Sequence, residues 1–167
     1  MVSINWCLKV GKGLELVSPN KNMSDSYIKM AEESLNVIKR IGKNSNLWLA
    51  STSYYTLYYC LYSLMIKIGI KCEIHKCSIE FMKRFLLGFY DSSDAELINT
   101  IFNLRNDLQY YPDKLVDKES LNNIEKSVVD FLIKTKEILL KISEKEVNLI
   151  RENLEEEINN LKEKERK

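Results

Sequence analysis

The chain has 167 residues, 45% of them hydrophobic and 29% charged, with 25 basic against 24 acidic side chains and a formal net charge of +1. That length suits one domain with a sizeable core, and two domains would each be thin. The near-neutral balance excludes a long-range basic field for gathering nucleic acid, so any RNA contact has to be a local patch.

Two Pro and five Gly punctuate the chain, and β-branched alternation is almost absent, which points to an all-α fold. The reading is an up-and-down helical bundle of about five helices over residues 24–142. An N-terminal arm over residues 1–23 precedes it, and a charged helical extension over residues 143–167 follows. The arm carries a short apolar patch (Trp6, Leu8, Val10, Leu14, Leu16) interrupted by Gly11, Gly13 and Pro19, so a helical turn and then an extended segment are expected. The first residues have no basic stretch leading into an apolar run, which favours a cytoplasmic protein. Cys7, Cys60, Cys72 and Cys77 are too few for a disulfide scaffold and are expected to be reduced.

Ser24 is expected to cap the first bundle helix, with Met30, Leu35, Ile38 and Ile41 on its apolar stripe and Gly42 as its stop. A second helix is expected from Asn44 or Ser45 to Ile68, ended by Gly69. Within it, residues 47–66 contain no charge, the length of a bilayer span. Tyr54, Tyr55, Tyr58, Tyr59 and Tyr62, together with five Ser and Thr hydroxyls, argue instead for a buried central helix whose tyrosines are packed core and interface aromatics. A third helix is placed from Ser78 to near Gly88, with Ile79, Met82, Phe85 and Leu86 facing inward.

Ser93-Asp94-Ala95-Glu96 has the pattern of a capping box for a fourth helix, whose stripe is Leu97, Ile101, Leu104 and Leu108 and whose stop is Pro112. Tyr111, ahead of that proline, is biased toward extended backbone. A fifth helix is expected from about Asp117, with Leu121, Ile124, Val128, Phe131, Thr135, Ile138 and Ile142 on one seam. Beyond it, fourteen of the last twenty-five residues are charged. Val147, Ile150, Leu154 and Leu161 keep an a/d-like stripe there, but two heptads are short for a coiled coil, so a solvated, fraying helix is expected.

Only five of the basic residues are Arg. Arg105 beside a core-facing stripe therefore stands out, because a guanidinium keeps its charge and presents fixed donors to phosphate. His75 is the sole histidine, the one side chain whose ordinary pKa lies near neutrality. With Cys72 and Cys77 it has an unusual spacing for zinc, and a fourth ligand would have to come from Cys7 or Cys60, so no metal or cofactor is expected. Lys67, Lys71, Lys76, Lys83 and Arg84 against Glu73 and Glu80 give a local positive excess, read either as solvated surface or as a phosphate-tracking rim.

Four segments in order resemble the HEPN family, small helical bundles of archaea and bacteria often encoded beside a minimal nucleotidyltransferase. Residues 27–35 look like the family's opening helix and residues 48–58 like its central aromatic helix. Residues 69–75 are similar to its histidine-ended connection, and Arg105-Asn106-Asp107-Leu108-Gln109-Tyr110 stands where the family places its arginine motif. The resemblance spans residues 24–142 and leaves the tail out.

It implies a homodimer whose two motifs share a cleft, a nucleotidyltransferase partner in a toxin–antitoxin-type system, and contact with RNA or nucleotide; the polar content of residues 47–66 separately points to no membrane contact. Catalytic members are ribonucleases, usually metal-independent, whose motif ends in a histidine. Tyr110 occupies that position here, and an ordinary tyrosine is a poor base at neutral pH, so ribonuclease activity stays open. The implied catalytic set is Arg105, Asn106 and Tyr110, and the binding set is Tyr111, His75, Lys76, Lys83 and Arg84. His75 as a substitute for the missing histidine, and adenylylation of Tyr110 or Tyr111 by the partner, are further possibilities. On an ideal helix Arg105 and Tyr110 lie about 140° apart, so their convergence needs a distorted helix end or a second subunit. The competing reading is a non-catalytic helical dimerisation and interaction module in which Arg105 is structural.

Overall fold

The computed structural model describes residues 2–42, 44–111, 113 and 123–165. It is an all-α bundle: α1 (Ile4–Lys9), α2 (Lys21–Ile41), α3 (Asn46–Ile68), α4 (His75–Phe85), α5 (Ser92–Tyr110), α6 (Ile124–Lys141) and α7 (Glu144–Glu165). Strands β1 (Glu15–Leu16) and β2 (Ile70–Lys71) form one short antiparallel ladder. The five expected bundle helices are α2 to α6. Pro112, Leu121 and the expected start near Asp117 lie outside the described residues.

The middle of the bundle is α3, which packs against α2, α5 and α6. Its uncharged run has no polar face to give to water, and sixteen of its residues are buried. No helix among the described residues is long and apolar enough to cross a membrane. Buried α3 hydroxyls gain by finding partners inside the protein; several do, while Ser53 Oγ is buried with no hydrogen-bond partner among the described residues. Ser63 meets Ser24 of α2 at 3.1 Å, Tyr62 Oη accepts from the Cys72 amide at 3.3 Å, and Thr56 donates to its own helix at Thr52 O, 2.9 Å away. Ser24 is thus a buried core residue and not the expected cap; Asn20 caps α2 by accepting from Met23 N at 2.9 Å. The α2 seam is Ala31, Leu35 and Ile38, while Met30 is turned outward.

Two other starts differ from expectation for identifiable reasons. α4 begins at His75, three residues before Ser78, without any side-chain cap; Ser78 is fully buried. The capping box of α5 uses Asp91 and Asp94 in place of Ser93, because Asp91 Oδ1 accepts from both Ser93 N and Asp94 N while Asp94 reaches back to Asp91 N. The expected seam of α6 is present, with Ile124, Val128, Phe131, Thr135 and Ile138 buried.

The tail is the largest correction. α7 is a separate helix opened by a Ser143/Glu146 capping box: Ser143 N donates to Glu146 Oε2 at 2.8 Å, and Glu146 N donates to Ser143 Oγ at 3.3 Å. Instead of fraying in solvent it packs on α3 and α4, with Ile150, Leu154 and Leu161 buried. Arg84 Nη2 holds Glu157 at 2.8 Å, and Arg151 Nη1 lies 2.9 Å from each of the carbonyl oxygens of Val17, Ile68 and Gly69. Gly69 ends α3 at φ 85°, a left-handed conformation that favours glycine. A Cβ there would sit 2.2 Å from Arg151 Nη1 and 2.5 Å from Val17 O, so side chain and turn geometry exclude each other.

The expectation of four reduced thiols is also corrected. Cys7 of α1 and Cys77 of α4 are joined in a disulfide across 70 residues, while Cys60 and Cys72 are free and buried. This bond fastens the N-terminal arm to the helix that begins with His75. It also removes Cys77 from any zinc ligand set built on Cys72 and His75.

Candidate functional site

Three helices bring Arg105, Asn106 and His75 to one place. α5 presents Arg105 beside the N-terminal half of α3, and its guanidinium carbon stands over the rings of Tyr54 and Tyr55 at 5.8 and 5.6 Å from their centroids. Arg105 Nη2 donates to Tyr55 Oη at 3.4 Å, and Nη1 donates to Asn106 Oδ1 at 3.1 Å. Nε is buried and has no hydrogen-bond partner. Among the described residues no carboxylate pairs with this guanidinium. A half-buried cation whose described partners are ring faces and neutral oxygens keeps its appetite for an anion.

His75 enters from α4. Its ring stacks on Tyr58 at 4.2 Å and 8° between planes, and it also meets Tyr54 and Tyr55 at 5.5 and 6.4 Å. The two rings under Arg105 are therefore the same two that border His75. Nδ1 of His75 is hydrogen-bonded to Tyr54 Oη. Burial first, and the nearby Arg105 cation second, push the imidazole below its ordinary pKa. Its position at the first residue of α4 acts in the same direction, since a helix N-terminus disfavours a cation. The Tyr54 hydroxyl is driven well above the usual tyrosine range, chiefly by burial, with Arg105 pulling the other way. It stays protonated at any physiological pH and works as a hydrogen-bonding group.

The other expected residues fall elsewhere. Tyr110 and Tyr111 are 64% and 62% exposed at the end of α5, and within this one chain they do not join the cluster through any described contact. Lys76 is the member of the basic stretch beside it, with Nζ 5.7 Å from the Phe102 centroid, and Phe102 in turn packs edge-on to Tyr54. Lys83 pairs with Glu80 at 3.0 Å, Lys71 with Glu73 at 2.9 Å and Arg84 with Glu157, while Lys67 donates to Leu139 O. These cations are spent on neighbours, so the stretch does not form a continuous free rim.

Tyr54, Tyr55 and Tyr58 are the functional candidates that sequence reasoning treated as packing alone. Their hydroxyls and faces create the site, and the available signal was the company they keep: three tyrosines at i, i+1 and i+4 on an otherwise uncharged helix.

A groove of about 610 Å³ lies elsewhere, along Ser24, Ile28, Lys67 and Leu139. Among its charged walls Lys136 pairs with Glu32 and Lys21 with Asp25, and no buried cation stands unsatisfied in it as Arg105 does. The Arg105–His75 cluster is the better candidate on chemistry. Comparison with known protein families, with curated proteins and with solved structures finds no match, so the residues of this cluster carry the functional case by themselves.

Proposed function

We propose that this chain is a HEPN-type bundle protein that faces RNA or a nucleotide through Arg105, as the partner of a minimal nucleotidyltransferase in a toxin–antitoxin-type system and as a homodimer. The observation that supports the reading is the state of Arg105: half-buried, seated on Tyr54 and Tyr55, with no carboxylate partner among the described residues and with Nε unsatisfied. A phosphate supplies what that guanidinium lacks, and a nucleotide base can use an aromatic neighbourhood as well. The exposed hydroxyl-bearing rings of Tyr110 and Tyr111 suit the role of acceptors for a partner that adenylylates tyrosine.

The test is binding of a short single-stranded RNA at low salt by the wild-type protein and by Arg105→Ala. The reading expects at least a tenfold loss of affinity in the variant and a steep weakening of wild-type binding as salt rises. Equal binding by both proteins sinks it.

The alternative, a non-catalytic dimerisation and interaction module, is favoured by the exposure of Trp48, Tyr110 and Tyr111, large rings of the kind enriched at protein interfaces. It predicts RNA indifference together with a dimer that Trp48→Ala weakens.

A further inference from the structure

We propose that the Cys7–Cys77 disulfide is a redox latch on the Arg105–His75 cluster. Intact, the bond holds the start of α4 against α3; its cleavage by a dithiol frees the N-terminal arm and lets His75 leave the Tyr54 and Tyr58 rings. This adds regulation to the RNA-facing site, and only its effect on binding rests on that reading.

The bond stands where little else secures either of its ends. α1 is six residues long, too short to hold a helix by itself. Cys7 is its one fully buried side chain, with Ile4 and Leu8 partly buried. On the other side, α4 starts at His75 without a side-chain cap from Ile74. Cys77 follows His75 by two residues, so the covalent link acts on the same turn that presents the imidazole.

The arm is built to come away in part. Lys12 has left-handed backbone at φ 66°, a conformation that costs any residue with a Cβ. Gly13 follows it so close to Cys7 that a Cβ would lie 2.0 Å from Cys7 O. This strained turn is held by Leu14 N donating to Cys7 O at 2.8 Å, by Glu73 N donating to Lys12 O at 2.9 Å, and by a Lys12–Glu73 ion pair at the surface. Past it, the buried Leu14 side chain, the β1–β2 ladder and Arg151 keep residues 14–17 docked. Cleavage therefore loosens the segment ahead of Leu14 together with the start of α4, while the rest of the bundle stays packed.

The exchange balances. A thiolate of the reductant attacks one sulfur and displaces the other cysteine as a thiolate, and the second thiol of the reductant then displaces the mixed disulfide. The reductant leaves as a cyclic disulfide, and two electrons and two protons end on Cys7 and Cys77. The chain's own thiols do not perform this step: burial pushes Cys60 and Cys72 above the ordinary cysteine range, so they stay protonated and poorly nucleophilic. Cys7 and Cys77 are themselves fully buried, so a reductant reaches them when α1 lifts. The groups that face His75 are Tyr54, Tyr55 and Tyr58 from α3 and Arg105 from α5. All of them lie outside the loosened segment, so reduction separates the imidazole from its neighbours without dismantling the seat of Arg105.

The experiment takes the full chain, prepared without a histidine tag, in the oxidised, dithiothreitol-reduced and reoxidised forms, alongside Cys7→Ala/Cys77→Ala. Alkylation and mass spectrometry establish the thiol state. Because His75 is the sole histidine, an NMR titration of one imidazole reports its surroundings. On reduction its depressed pKa should rise toward about 6.5. Tryptic cleavage after the exposed Lys9 and Lys12 should quicken roughly tenfold, and circular dichroism should keep nearly all of the helical signal. Affinity for a short single-stranded RNA should weaken roughly threefold to tenfold, the cost of re-ordering one or two side chains. Reoxidation should reverse each change, and the double variant should behave as reduced protein with or without dithiothreitol. A bond that resists dithiothreitol in the folded protein, or an imidazole titration unchanged after complete reduction, overturns the latch. Loss of the whole helical signal on reduction also overturns it, since the bond would then be a general scaffold. If the imidazole and the arm respond but RNA affinity does not, the regulatory claim falls and the binding reading stands. If the oxidised protein does not bind RNA, the binding reading falls and the imidazole titration alone decides the latch.

Discussion

Arg151 and Arg105 are both half-buried arginines on helices of one chain, and they illustrate two uses of the same side chain. Arg151 places one nitrogen among three backbone carbonyls, at 2.9 Å from each. A terminal guanidinium nitrogen carries two protons, so at least one of them is shared, and nothing on that nitrogen is left for a ligand. Arg105 has ring faces, one tyrosine hydroxyl and one amide oxygen around it, and a buried Nε without a partner. Charge and partial burial are common to the two sites; what separates them is whether the donors are consumed. The α7 end of the molecule is a fastening, and the α3–α4–α5 cluster is an unmet demand.

The comparison is most severely tested at the fastened end. Leu154 is fully buried where α7 packs, and Leu154→Ala should cost about 2–5 kcal/mol, measured by chemical denaturation. RNA binding by the folded fraction should stay at the wild-type level; a selective loss of binding would show that the two ends are not separate.

Breaking the Cys7–Cys77 link should come next. The Cys7→Ala/Cys77→Ala double variant should lose about 2–4 kcal/mol, because the bond closes a long loop. Denaturation of the wild-type protein with and without a dithiol gives an independent reading, and equal stability in the two conditions would mean that the link contributes nothing.

The two arginines then allow a direct contrast. Arg151→Ala should cost about 2 kcal/mol and leave RNA affinity unchanged, since it orphans carbonyls that a charged donor had satisfied. Arg105→Ala should cost about 1 kcal/mol or less while removing most of the RNA affinity. Matching stability losses with no binding difference would erase the distinction.

The smallest effect is the pH dependence of stability. The folded-state pKa of His75 is depressed, so the unfolded chain binds more protons between the two values. Stability therefore falls as pH drops from about 6.5 through the folded-state value. Thermal unfolding at pH 7 and pH 5 should show a decline that is smaller in His75→Asn; an identical decline would assign it to other groups.

Much of the bundle was legible because burial and periodicity coincide there. The uncharged run of α3, the glycine at its end and the Ile124-to-Ile138 seam follow from hydrophobic spacing alone. The failures arise where local pattern is outvoted. Ser24 and Ser78 look like caps, yet they fall on buried faces because Asn20 and the turn at Ile74 open those helices first. The tail's density of charge masks Ser143 and Glu146, which have the spacing of a capping box in the sequence. The Cys7–Cys77 bond and the meeting of His75 with Arg105 join residues 70 and 30 positions apart. Spacing cannot reveal such pairs; only packing around Tyr54, Tyr55 and Tyr58 brings the site together.

Arg151 also sets an order of events during synthesis. It follows Val17 by 134 residues, so a ribosome adding about 5–20 residues per second needs roughly 7–27 s to deliver it after that carbonyl has emerged. Until then the Val17 and Ile68 oxygens lack the guanidinium, and Gly69 O has only the Val17 amide, 2.9 Å away, so the arm's docking is completed when α7 arrives.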